Sequence, residues 1–241
     1  MKIPYSIKIA VIFFLSTILY GQELRKNKYG LIVIDNPKIY YNLAAKDSSN
    51  ILVDLQKFIP SIKLDIRYST KNNFLGEPVY KSARAFLRLP AAIALKKVQH
   101  ELNLIGLGLK IFDGYRPYSA TVIFYNKVKD TIYAASAYTG SRHNRGCAVD
   151  LTLISLKTRK PLDMPTDFDS FDIKAHSDYL KLPPNVIKNR DLLIGIMAKY
   201  GFINLDSEWW HYDFKDWKKF DLMDLSFDQL DKIDSEVYPN K

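Results

Sequence analysis

The chain reads as one mixed α+β domain with a central antiparallel sheet flanked by helices. Segments with strand character recur at 62–67, 109–112, 148–154 and 208–214, and segments with helical spacing at about 90–102, 119–128 and 189–200. Their order along the chain gives the mixed class. Once an N-terminal leader is set aside, about 220 residues remain, enough for one domain with a substantial core.

The leader comes first. Lys2 and Lys8 form a basic start, and Ile9 to Leu19 is an apolar run of about eleven residues, with Gly21-Gln22 as a cleavage point. A membrane anchor is the alternative, but this run falls short of the ~20 residues that span a bilayer. No cysteine stands directly after it, so a lipoprotein is not indicated. The expectation is an exported, periplasmic protein with residues 1–21 as signal peptide, no stable membrane insertion, a polar extension over 22–50 and the main domain over 51–241. Within the extension, Leu31 to Ile34 has the character of a short strand in a loosely packed segment.

From residue 62 the pattern is denser. Ile62, Leu64 and Ile66 alternate with Lys63, Asp65 and Arg67, the period of a half-buried strand. Pro90 suits the first turn of a helix to about Leu102, with Ile93, Val98 and Leu102 among its buried positions. Leu109 to Phe112 reads as a strand ending in Asp113-Gly-Tyr-Arg-Pro117, and a second helix covers about Ser119 to Val128. After a strand at Ala148 to Ile154, Thr158 to Pro161 is a turn, and Asp163 to Lys181 is irregular, acidic and aromatic, as suits a loop over a site. A helix from about Asn189 to Tyr200 stops at Gly201. Glu208 to Phe214 is the last core strand, and the charged tail adds a helix near Ser226 to Ile233.

Composition excludes some classes. The net charge of +9 falls to about +7 without the two leader lysines, and no Lys/Arg cluster interleaved with aromatics marks a nucleic-acid surface. Cys147 is the only cysteine, so no intrachain disulfide forms. Between Gly146 and Ala148 it reads as a small buried packing residue. Nothing in the residues points to an oligomeric state.

Chemistry concentrates in Ser141-Arg-His-Asn-Arg-Gly-Cys-Ala-Val-Asp150 and Glu208-Trp-Trp-His211. Two histidines and two carboxylates there match what a catalytic zinc site needs, three N or O ligands and a base beside an open position. Strand parity is an obstacle. His143 and Asp150 are seven apart, and Glu208 and His211 three apart, so in uninterrupted strands neither pair shares a face. Asn144-Arg-Gly146 therefore has to turn, using the backbone freedom of Gly146. Glu208 has to sit at the start of its strand or on a bulge.

S-x-H-x-x-G-x-A-x-D followed by E-x-W-W-H resembles the zinc D-Ala-D-Ala dipeptidases (VanX-like), within the group of D,D-peptidases that share a fold with the hedgehog signalling domain. Tyr68-Ser-Thr-Lys-Asn-Asn-Phe-Leu-Gly76, Asp113-Gly-Tyr-Arg-Pro117 and Asp163-Met-Pro-Thr-Asp-Phe-Asp169 extend the likeness in the same order, over about residues 50–215. The resemblance implies one zinc ion per chain held by His143, Asp150 and His211, with Glu208 as general base and acid. It implies Arg116 as the cation that stabilises the oxyanion, Asp169 as the holder of the substrate ammonium, and Ser141 and Tyr68 as further substrate contacts. Trp209 and Trp210 are read as packing around the His211 strand, and His176 as a surface residue. The implied substrate is a small D,D-dipeptide in cell-wall turnover. A D,D-carboxypeptidase or endopeptidase on longer muropeptides is the second reading, and a zinc-bearing module without catalysis the third. One departure stands out: Pro165 occupies a position where the family commonly has glycine, in the loop leading to Asp169.

Overall fold

The computed structural model describes residues 25–129 and 135–237, so the expected leader at 1–21 lies outside the described residues. In chain order the elements are α1 (Pro37–Lys46), β1 (Leu52–Asp54), α2 (Leu55–Phe58), β2 (Lys63–Leu64), β3 (Phe86–Arg88), α3 (Leu89–Leu104), β4 (Leu107–Asp113), α4 (Tyr118–Val128), β5 (Ala148–Ser155), α5 (Pro184–Lys199), β6 (Phe202–Leu205), β7 (Glu208–Phe214) and α6 (Phe227–Val237). The main sheet has the order β2-β4-β5-β7-β6, and β1 pairs separately with β3. No helix among the described residues is long and apolar enough to cross a membrane.

The sheet is antiparallel as expected except at its edge, where β2 runs parallel to β4. A parallel neighbour needs a long crossover, and β3 with α3 supplies it. The strand expected over 62–67 shrinks to two residues because the chain leaves the sheet at a turn over Arg67–Ser69. Ile62 and Ile66 are nevertheless buried, so the alternation reported the buried face correctly.

Helix α3 begins one residue before Pro90, and its buried stripe is Ala91, Leu95, Val98 and Leu102. These positions follow the 3.6-residue repeat. Ile93 falls on the opposite side and is 42% exposed, against the expectation that it is buried. Helix α5 starts five residues earlier than expected, because Pro184 occupies its first turn. Gly201 ends that region with φ of 86°.

The segment before residue 50 packs more closely than a loose extension would. Ile34 and Tyr40 are buried, and the Leu52 N–H donates to the Tyr40 hydroxyl at 2.7 Å. Ile34 forms a parallel bridge with Met223 in the tail. The tail in turn lies behind the His143 turn, where the Met223 N–H donates to the Asn144 carbonyl at 3.0 Å. Arg88, 1% exposed, braces the same turn by donating from Nε to the Arg145 carbonyl and from its backbone N–H to the Gly146 carbonyl.

Gly146 closes the turn at φ of 68°, and a Cβ there would lie 2.5 Å from Leu52 Cδ2. Gly76 has a similar φ of 73° but open space around it. Left-handed backbone costs a non-glycine residue ~1–2 kcal/mol. Gly146→Ala is therefore expected to destabilise the protein by about 1 kcal/mol more than Gly76→Ala, the excess being the displacement of Leu52. Denaturant unfolding of the two variants checks this, and equal losses would mean that Leu52 does not confine the turn.

Candidate active site

Register across the sheet aligns the site. Asp150 on β5 lies opposite His211 on β7 and is partnered by Asp113 at the end of β4, so the three side chains form one row. His143 reaches that row from the turn before β5, where Gly146 reverses the chain. The expected turn is present.

His143 Nε2, Asp150 Oδ1 and His211 Nδ1 form a triangle with sides of 3.1, 3.0 and 3.3 Å. Tetrahedral coordination at zinc bond lengths of ~2.0–2.1 Å puts ligand atoms ~3.3 Å apart, so the three can share one ion. The protons agree. His143 Nδ1 lies 2.7 Å from the Gly114 carbonyl and has to donate to it, and His211 Nε2 lies 3.0 Å from Asp213 Oδ1 and donates there. In neutral rings both remaining nitrogens then present lone pairs, beside a carboxylate oxygen. Three buried acceptors facing one another call for a cation at their centre. Burial opposes the charge on Asp150, yet His143 and His211 hold its carboxyl well below the usual range. Burial opposes a second proton on His211, but hydrogen bonds to Asp150 and Asp213 pull the ring well above the histidine range, so without a metal ion a proton on Nδ1 serves as the cation between the acceptors.

Glu208 meets the parity requirement in both expected ways. It is the first residue of β7, and the β6–β7 register slips there, from Asn204↔Tyr212 to Leu205↔Glu208. The resulting bulge turns Glu208 Oε2 to within 3.9 Å of His211 Nδ1. Asn204 clasps the bulge: its side-chain amide donates to the Glu208 carbonyl at 3.0 Å and the His211 carbonyl at 2.9 Å. Burial raises the Glu208 pKa above the ordinary glutamate value.

The other expected residues surround this centre. Arg116 is 8% exposed, donates from Nε and Nη2 to Asp113 at 3.0 and 2.8 Å, and brings Nη2 to 3.8 Å from Asp150. The Tyr68 hydroxyl donates to Asp169 Oδ2 at 2.8 Å. Asp169 itself adopts φ of 61°, a strained choice for a non-glycine residue that turns its carboxylate inward. Burial, reinforced by the Asp150 charge, pushes its carboxyl well above the usual range. The Ser141 hydroxyl oxygen accepts the His143 N–H at 3.2 Å, leaving its own proton free to donate. All eight expected residues line one cavity of about 200 Å³.

Trp209 and Trp210 are buried, and the Trp209 indole donates to Thr166 in the loop before Asp169. Cys147 is fully buried, and burial pushes its thiol up to about 12, which suits packing. His176 is half-buried in the loop after Asp169.

Sequence reasoning missed the residues that hold the site in place. Asp113 fixes Arg116 and also accepts from the Tyr80 hydroxyl. Asp213 orients His211, as carboxylates commonly do for metal-ligating imidazoles. Asn144 accepts from the Ser141 N–H and donates to the Arg116 carbonyl, joining two motifs. Asp213, two residues after His211 on the same strand face, was the one signal available from spacing.

A protein-family model described as D-Ala-D-Ala dipeptidase, of the M15 peptidases, matches residues 48–229. The D-alanyl-D-alanine dipeptidase of Escherichia coli (strain K12) is 36% identical over 162 residues, covering 67% of this chain and 83% of that protein. That of Enterococcus faecalis (strain ATCC 700802 / V583) is 32% identical over 178 residues, covering 66% and 88%. The chain belongs to this family of peptidases.

If Asp213 orients a metal-ligating ring, Asp213→Ala weakens the binding of zinc about ten- to a hundredfold. His143→Ala, which deletes a donor outright, weakens it further. Competition against a chromophoric chelator measures both. An Asp213→Ala variant with unchanged affinity would remove Asp213 from the metal site.

Proposed function

We propose that the protein is an exported zinc peptidase that hydrolyses D-Ala-D-Ala or a closely related D,D-dipeptide to free amino acids. The observation that carries this reading is the cavity in which the buried acceptor triangle, Glu208, Arg116 and Asp169 meet. A volume of about 200 Å³ is small beside the ~300–1,000 Å³ of drug-sized ligand sites, and suits a dipeptide better than a muropeptide strand. Membership of the dipeptidase family supports the same substrate class.

His143, Asp150 and His211 would hold one zinc ion per chain, which supplies Lewis acidity at the scissile carbonyl and acidifies water. Glu208 takes the proton of the attacking water and passes it to the leaving amine, a task suited to a carboxyl whose pKa burial has raised. Arg116, fixed by Asp113 and stacked over the Tyr68 and Phe124 rings, donates to the oxyanion that develops on the carbonyl. Asp169, with Tyr68 beside it, receives the free ammonium of the substrate. A structural zinc site has no use for Glu208 or Arg116, and their position in the cavity favours catalysis over a non-catalytic module.

The basic and apolar character of residues 1–21 supports export to the periplasm. There the enzyme would act on dipeptides released by cell-wall turnover. Depletion of D-Ala-D-Ala as a precursor would need the enzyme in the cytoplasm.

The test is hydrolysis by the zinc-loaded mature protein of D-Ala-D-Ala beside an N-acetylated tripeptide ending in D-Ala-D-Ala. Cleavage of the free dipeptide alone is expected, with kcat lowered about 10²–10⁴-fold in Glu208→Gln. Release of D-Ala from the blocked tripeptide would move the assignment to a carboxypeptidase. Zinc binding without cleavage of either would leave a non-catalytic module.

A further inference from the structure

One charged side chain lining the cavity has no part in the chemistry above: Arg142, between Ser141 and His143. Its side chain is 43% exposed, with Nε 3.4 Å from Asp213 Oδ2 and its guanidinium 5.1 Å from the centre of the Trp217 ring. The aromatic face and the carboxylate hold the group in place. Among the described residues it makes no hydrogen bond, whereas the Arg116 fork is taken up by Asp113. Arg142 is therefore a positioned guanidinium with donors to spare, a form suited to planar carboxylates.

Its location supplies the rest. Asp213 also accepts from His211 Nε2, so Arg142 stands beyond the His211 ring on the side away from the acceptor triangle. Asp169 is tied to Tyr68, under Arg116, on the Asp150 side. The cavity thus carries a carboxyl group towards one end, where an incoming ammonium favours its ionised form, and an unused cation towards the other. A dipeptide at neutral pH is a zwitterion whose charged ends lie about 7 Å apart when extended. The Ser141 hydroxyl, one residue from Arg142 and free to donate, adds a neutral contact.

We propose that Arg142 determines specificity by binding the α-carboxylate of the dipeptide, opposite the ammonium at Asp169. This rests on the dipeptidase reading and deepens it. With both ends of the substrate recognised by charge, the cavity measures length: a blocked amino end meets Asp169 without a partner, and an amidated or extended carboxyl end leaves Arg142 without one.

The experiment compares D-Ala-D-Ala with D-alanyl-D-alaninamide as substrates of the zinc-loaded wild type, Arg142→Gln and Arg142→Lys. Wild type is expected to prefer the free acid, and Arg142→Gln to lose about ten- to a hundredfold of that preference, mainly through KM. Arg142→Lys should recover part of it, because the charge remains while the fork is lost. Equal losses on both substrates would overturn the proposal and leave Arg142 as a brace for Asp213. Calorimetric titration of the same two compounds into wild type and both variants gives the acid-to-amide affinity ratio without turnover. If wild type cleaves neither compound, the dipeptidase reading fails. An affinity ratio that still collapses in Arg142→Gln would sustain the carboxylate site, and an unchanged ratio would overturn it.

Discussion

The convergence of three buried acceptor atoms on one point is the constraint from which the architecture around the site follows. His143 Nε2, Asp150 Oδ1 and His211 Nδ1 approach within 3.0–3.3 Å of one another, away from solvent. Such a cluster is costly to bury without a cation, and regular strands cannot assemble it at the spacings this sequence has. Two local irregularities resolve the geometry. One is the left-handed turn at Gly146, packed against Leu52 and braced by Arg88. The other is the register slip at Glu208, clasped by Asn204. Each departure has its own dedicated support, which marks both as built features of the fold.

Electrostatics then divides the carboxylates by role. Asp150 is surrounded by imidazoles and held ionised, as its proposed role as a metal ligand requires. Glu208 and Asp169 occupy the same cavity, yet burial drives both towards the neutral form. Environments that separate the pKa values of neighbouring carboxyls let one bind charge and another move protons. Asp113 has a further task, keeping Arg116 extended beside the centre through two hydrogen bonds. Arg116 so fixed would need no rearrangement to meet the oxyanion of the proposed reaction.

Much of this was legible in the sequence, and the reason lies in local grammar. The parity conflict between Glu208 and His211 demanded a bulge or a strand start, and both are present. Asn144-Arg-Gly146 announced its turn, and the paired His, Asp and Glu announced the centre. What stayed hidden depends on partners far apart along the chain. Arg88 looks like an ordinary strand residue until Arg145 is seen beside it, and Asn204 like an edge-strand residue until the bulge is seen to lack donors. Ile93 was expected to be buried because it is apolar, but it lies off the stripe set by Ala91, Leu95, Val98 and Leu102 and is exposed. The parallel β2–β4 pair escaped because alternation marks the buried face of a strand and not the direction of its neighbour.

The loop that carries Asp169 is joined to the bulge that carries Glu208 at two points. The Trp209 indole donates to Thr166, three residues before Asp169, and Ser177 in the same loop hydrogen-bonds to Asn204, the clasp of the bulge. The group expected to receive the substrate ammonium and the group expected to move the proton therefore share a framework. Pro165, beside Thr166, stiffens the loop at that junction by fixing its own φ. A change in loop conformation would act through these bonds on Trp209 and Asn204, and so on the backbone that orients Glu208 and His211. On the proposed reading, substrate fit and catalytic geometry would depend on the same few hydrogen bonds, so a ligand that seats Asp169 poorly would also leave Glu208 poorly aimed.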